Sequence, residues 1–157
     1  MPVTLRNPMT ALHRLRRAVG GTAALEFALF APLLLIMLVF AVELGDGIFG
    51  AMQAQNAAEA GALYVAKHGW NSGGISAAVV NATGVAGMTA SPAPSEFCGC
   101  PAVGGITSRD CTLRCPDGNV ASTYVQINAT LARQTLLTYP GFVSPATLTG
   151  RAIVRVN

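Results

Sequence analysis

Charge is scarce in this chain: Asp, Glu, Lys and Arg make up 11% of the 157 residues, against 52% hydrophobic residues. What charge there is sits unevenly. Four of the ten basic residues, Arg6, Arg14, Arg16 and Arg17, come before any acidic residue, and beyond Gly21 six Lys and Arg stand against seven Asp and Glu. The body of the chain has no basic patch, so the net charge of +3 is no argument for a nucleic-acid partner. Histidine is almost missing. His13 lies in the basic leader and His68 has no second histidine or carboxylate cluster near it in sequence, which leaves no metal site and no Ser-His-Asp set to expect. The run Gly45-Asp46-Gly47-Ile48-Phe49-Gly50 matches G-x-G-x-x-G by letter, but no strand and turn precede it, so a phosphate loop is excluded and the glycines read as a flexible joint. Neither an enzyme nor a cofactor is expected.

Cysteine is limited to Cys98, Cys100, Cys111 and Cys115, spaced as C-x-C, ten residues, C-x3-C. Zinc ribbons use C-x2-C pairs and redox-active sites C-x-x-C, and neither occurs here. The spacing predicts two disulfides stapling a hairpin, with pairing between the two clusters because Cys98 and Cys100 stand too close to bridge each other. Both cross connectivities satisfy it.

What the sequence does have is one long apolar run. Between Arg17 and Glu43 lie 25 residues with a single charge, Glu26. As a helix rising about 1.5 Å per residue, this stretch crosses a hydrocarbon core of roughly 30 Å. The basic cluster ahead of it keeps residues 1–17 in the cytoplasm and sends the chain beyond about Gly45 across the membrane, where an oxidising compartment suits the cysteines. Three fates are open to the leader. It is kept as an uncleaved anchor, or cut after Ala41 in Val39-Phe40-Ala41 to release a secreted protein, or cut after Gly21 to leave a helix beginning at Thr22. The termini Met1, Val42 and Thr22 tell them apart.

Glu26 needs a reason, because a carboxylate in the bilayer is costly and by default functional. A cut after Gly21 would create an ammonium on Thr22 at the positive end of a helix dipole, and a carboxylate one turn on would offset it. Basic leader, Gly21, Thr22-Ala23-Ala24-Leu25-Glu26-Phe27 and a long apolar run are together similar to the prepilin signature, with Glu26 at mature position five. The fuller string GGTAALEFALFAPLLLIML, with Pro32 inside it, resembles the TadE-like proteins of tight-adherence pilus systems over residues 14–66. The resemblance implies a minor pilin or pseudopilin, processed after Gly21 by a prepilin peptidase and held in the bacterial inner membrane with its C-terminal part periplasmic or extracellular. It also implies assembly with other pilin-like subunits and the pilus machinery. Glu26 would then meet the amine of a neighbouring subunit, with Phe27 beside it and Leu25, Leu29, Leu33 and Ile36 as lateral packing residues. Pro32, which lacks an amide hydrogen and crowds the carbonyl of Ala28, is expected to kink or loosen the helix. The alternative is an uncleaved membrane-anchored scaffold or binding module of the envelope, in which Glu26 is incidental.

Past the membrane the helix is expected to continue to His68, with Leu44, Ile48 and Met52 at i, i+4 and i+8 and a small-residue face of Ala57, Ala58, Ala62, Leu63 and Ala66. Gly69 to Gly74 end it, and a second helix over residues 75–88 carries Ile75, Val79, Ala82 and Ala86 on one face. Residues 89–95 read as a linker. Strands are expected where Val125, Ile127, Ala129 and Leu131 alternate with Tyr124, Gln126, Asn128 and Thr130, over 134–139, and over 146–156. The fold class is α+β: a pilin-like long N-terminal helix packed on a small antiparallel sheet with a disulfide-stapled loop. The organisation is a basic leader (1–21), a transmembrane and extended helix (22–68) and an extracytoplasmic head (69–157).

Overall fold

The computed structural model describes residues 21–133 and 147–156. They form two units divided between Val42 and Glu43. The first unit is the apolar beginning of one helix, α1 (Gly21–His68), which runs through Pro32. The second holds the remainder of α1, a short helix α2 (Ser72–Asn81) and five strands, β1 (Met88–Thr89), β2 (Ser95–Ala102), β3 (Gly105–Ser108), β4 (Ser122–Ala132) and β5 (Thr147–Arg155). The α+β class expected from sequence is what the chain adopts. The strand expected over 134–139 lies outside the described residues.

Helix α1 stops for local reasons. Lys67 and His68 place cationic or polar groups in its last turn, and Gly69 takes a left-handed φ of 74° while its N–H donates to the Val65 carbonyl at 2.8 Å. Asn71 then caps α2, its side-chain oxygen accepting from the Gly74 N–H at 3.0 Å. The second helix is shorter than its pattern suggested. Gly84 and Gly87 both adopt positive φ, so the chain leaves the helix after Asn81 and only Ile75 and Val79 of the expected face are buried in it.

Strand β4 is the centre of the sheet and every pairing is antiparallel. Along one edge it pairs with β5, from Tyr124 opposite Arg155 to Ala132 opposite Thr147. Along the other edge it pairs first with β2, Gly99 opposite Ser122 to Ser95 opposite Gln126, and then with β1 at Thr89 and Met88. Strand β3 extends the sheet beyond β2. This register puts Val125, Ile127, Ala129 and Leu131 on the face that meets α1, with Val154, Ala152, Gly150 and Leu148 of β5 beside them. The opposite face carries Gln126, Asn128 and Thr130, and there Arg151 donates to Gln126, which donates to Asn128, at 2.7 and 3.1 Å.

The head's share of α1 presents glycine and alanine to the sheet. Gly50, Ala54, Ala57, Ala58, Gly61 and Val65 are buried at helical spacing. The apolar stripe Leu44, Ile48 and Met52 faces away and is exposed, 50–63%, as is Leu63. The large residues are thus outside and the small ones inside, because small residues let the helix backbone approach the sheet closely. A Cβ on Gly61 would come within 2.8 Å of Val79 and 2.9 Å of Ile127, and one on Gly50 within 2.6 Å of Leu148. Gly47 and Gly50 therefore serve packing in a continuous helix, which corrects their reading as a flexible joint. Large side chains from the other elements supply the apolar volume: Ile75, Val79, Val125 and Ile127 are fully buried, each worth about 1.5–3 kcal/mol.

Beyond the reach of α1 the sheet is covered differently. Cys98 and Cys100 project from the same face of β2 and bridge to Cys111 and Cys115 of the following loop. Of the two cross connectivities, the structure selects Cys98–Cys111 and Cys100–Cys115. The covalent bonds stand in for a core there, with Cys98, Cys100 and Cys115 buried. In the same loop the Asp117 carboxylate accepts from the side chain and the backbone N–H of Asn119, at 3.0 and 3.1 Å. These bonds hold its pKa below the ordinary 3.8, so their support of the turn is present above that value and is lost as pH falls through the lowered one. Replacing Cys100 and Cys115 together by serine is expected to lower head stability by about 2–3 kcal/mol. Amide exchange should rise through residues 105–121 while Val125 to Leu131 keep their protection, and equal loss in both regions would contradict the separation.

Candidate functional site

The candidate processing and assembly residues lie on the first unit. Gly21 is the first residue of α1 and is exposed, with open space where a Cβ would project. Thr22 and Glu26 follow within α1, one turn apart. Glu26 is exposed, and Phe27 next to it is 69% exposed. Leu25, Leu29, Pro32, Leu33 and Ile36 recur at helical spacing along one stripe, and the four large ones are more than half exposed. In this unit no large apolar side chain from Leu25 to Leu38 is covered by the chain itself. Such a surface is stable only against lipid or another apolar surface. Ala23–His68 is the one stretch of the described residues long and apolar enough to cross a membrane.

The second unit holds a polar cluster that the sequence did not announce. Glu43 is 3% exposed, and the Nη2 atom of Arg133 lies 2.5 Å from its Oε1. The same nitrogen donates to the Glu43 backbone carbonyl at 3.3 Å, while Nε of Arg133 stands 3.4 Å from the Asp46 carboxylate. The guanidinium lies in a notch of the helix surface at Gly47, where a Cβ would come within 2.9 Å of Nη1. Glu43, Asp46 and Gly47 at i, i+3 and i+4 form one patch of α1, and Arg133 reaches it directly after β4. No sequence signal joins residues 90 apart. The only hint was a carboxylate at the end of an apolar run, and its natural reading is a group meeting water.

Among the described residues no group of three or more His, Cys, Asp or Glu side chains is placed to hold a metal. His68 stacks on Tyr64, ring centroids 4.6 Å apart, with Nδ1 3.3 Å from the Tyr64 carbonyl. All four cysteines are in disulfides. The disulfide lobe and the Glu26 helix thus belong to different units, and each must be considered for itself.

Residues 21–63 match the family model described as TadE-like protein, the family that the string from Gly20 to Leu38 resembles. The match covers the apolar part of α1 and most of the part that packs on the sheet, and stops before α2 and the strands. No curated protein and no solved structure matches the chain.

Proposed function

We propose that this chain is a minor pilin or pseudopilin that takes part in assembly of a tight-adherence pilus, acting through association of its helix and not through catalysis. The observation that carries the reading is the coincidence of a cleavable-leader motif, Gly21 followed by Thr22, Glu26 and Phe27, with an apolar helix surface that its own chain leaves uncovered and that matches the TadE-like family.

In this reading a prepilin peptidase cuts after Gly21 on the cytoplasmic side of the inner membrane. The new Thr22 ammonium sits at the positive end of the helix dipole, where it is disfavoured, and a carboxylate one turn along offsets it. In a bilayer this charge pair is strongest between adjacent helices, so Glu26 sets the axial register of neighbouring subunits while Leu25, Leu29, Leu33 and Ile36 pack laterally. Pro32 leaves the Ala28 carbonyl without its usual donor and eases local bending as subunits pack. The head projects on the periplasmic or extracellular side, where its disulfides persist.

The test is the N-terminal residue and mass of the membrane-extracted protein, with and without the peptidase, repeated for Gly21→Ala. A start at Thr22 that requires the peptidase and is lost in the variant is the expected result. An intact Met1 under all conditions would leave a membrane-anchored envelope module in its place, and a start at Val42 a secreted protein.

A further inference from the structure

The apolar run of α1 is longer than a bilayer requires. From Thr22 to Met52 the only charged residues are Glu26, Glu43 and Asp46. At about 1.5 Å per residue this stretch extends about 45 Å, roughly 15 Å more than a hydrocarbon core. Hydropathy alone lets such a helix slide by nearly three turns, since mismatch is only weakly penalised per ångström. Leu44, Ile48, Phe49 and Met52 show that the surplus is real: they are half or more exposed on the head's own segment of the helix, where lipid would welcome them.

We propose that the Glu43–Arg133–Asp46 cluster is an insertion stop that fixes how deeply the helix sits in the membrane. Three charged groups converge on one turn of α1: Glu43 and Arg133 are almost wholly buried against each other, while the Asp46 carboxylate beside them is 61% exposed and keeps a charge in water at this level. Arg133 also binds the Glu43 carbonyl and fills the Gly47 notch, so the end of β4 is fastened to the helix at this level. Drawing Leu44 and Ile48 into lipid would drag the whole cluster with them. The outer hydrocarbon boundary therefore lies at Glu43. About 20 residues back, the inner boundary falls at Ala23 or Ala24, which leaves the Gly21–Thr22 bond at the cytoplasmic surface and Glu26 less than one turn inside. Along the sequence, Glu43 and the Gly21–Thr22 bond are thus separated by about the number of residues that one bilayer crossing takes. The inference rests on α1 crossing a bilayer and not on the pilus reading.

The test uses the full-length chain in cells that lack the prepilin peptidase, so that failure of processing has no bearing on it. Single cysteines replace Val39, Leu44 or Ile48 and are probed with a membrane-impermeant maleimide applied from outside; the native cysteines are silent as disulfides. Leu44→Cys and Ile48→Cys should label at least about tenfold faster than Val39→Cys. Protection of Leu44→Cys and Ile48→Cys in the otherwise unaltered protein would overturn the proposal. The combined variant Glu43→Leu, Asp46→Asn, Arg133→Met removes the charges but keeps side-chain volume, and in it labelling at position 44 should fall about tenfold. The exchanged pair Glu43→Arg, Arg133→Glu retains charge and should restore it. Unchanged labelling in the uncharged variant, with both disulfides formed, would show that the head's bulk and not the cluster sets the depth.

Discussion

Replacing Gly150 by alanine is expected to destabilise the head by about 3 kcal/mol, and replacing it by valine to prevent folding. Gly150 lies on the inner face of β5, opposite Ala129 of β4, and is buried. A Cβ there would run into the carbonyl group of Ala54 and the N–H of Gln55. These are backbone atoms in the middle of a helix, and they cannot move without moving α1 as a whole. The alternative response, withdrawing β5, breaks its pairing with β4 and the two bonds by which the Gln55 side chain holds the Arg151 backbone, at 3.2 and 3.3 Å. Urea unfolding of the detergent-solubilised chain, followed through Trp70, measures the loss. Gly45→Ala is the control, because open space surrounds that position, and it should hold or raise stability by up to about 1 kcal/mol. Equal effects at the two glycines would refute close approach of α1 to β5 as the basis of the fold.

The second large effect is expected at Glu43 and Arg133. Arg133→Met alone should cost about 3–5 kcal/mol, because it leaves the Glu43 carboxylate in a site that is only 3% exposed. Glu43→Leu alone should cost less, because the guanidinium keeps the exposed Asp46 carboxylate and the backbone carbonyl of residue 43 as partners. The double variant should recover most of the loss, since an apolar pair of similar volume often replaces a buried ion pair with little penalty. A double-mutant cycle by urea unfolding gives the coupling, expected at about 2 kcal/mol or more. Additive losses would mean that the two side chains do not depend on each other. The stability of this pair and the depth of the helix are separate readouts of the same contact, and the exchanged pair should preserve the second even where it lowers the first.

Much of the architecture was legible because it rests on local patterns. The apolar run before Glu43, the Gly69 stop, the alternation from Tyr124 to Leu131 and the staple between the two cysteine clusters are each written in a few consecutive residues. The face of α1 that meets the sheet was legible in part: Ala57 and Ala58 of the expected small-residue face are buried in it, and Leu63 is not. Leu44, Ile48 and Met52 have the right period, yet they point outward, since a period defines a stripe without saying what will lie against it. Gly50, Ala54 and Gly61, which extend the buried seam, carry too little hydrophobicity to announce it, although their smallness is what makes the seam possible.

The sequence by itself determined that the chain has a helix long and apolar enough to span a membrane, with an acidic group near its start, that the cysteines pair between clusters, and that the remainder is a small α+β head. These follow from hydropathy, spacing and chain stiffness, all of which act over short distances. Only the tertiary structure decided which cysteine meets which, which face of α1 is inside, and that Glu43 is buried against Arg133. The cysteine pairing depends on how β2 presents Cys98 and Cys100 to the loop that follows β3. The other two depend on where β4 and β5 cross the helix, which is settled where the Ile127 side chain fits against Gly61 and the β5 backbone comes up against Ala54 at Gly150, contacts between residues far apart in the chain.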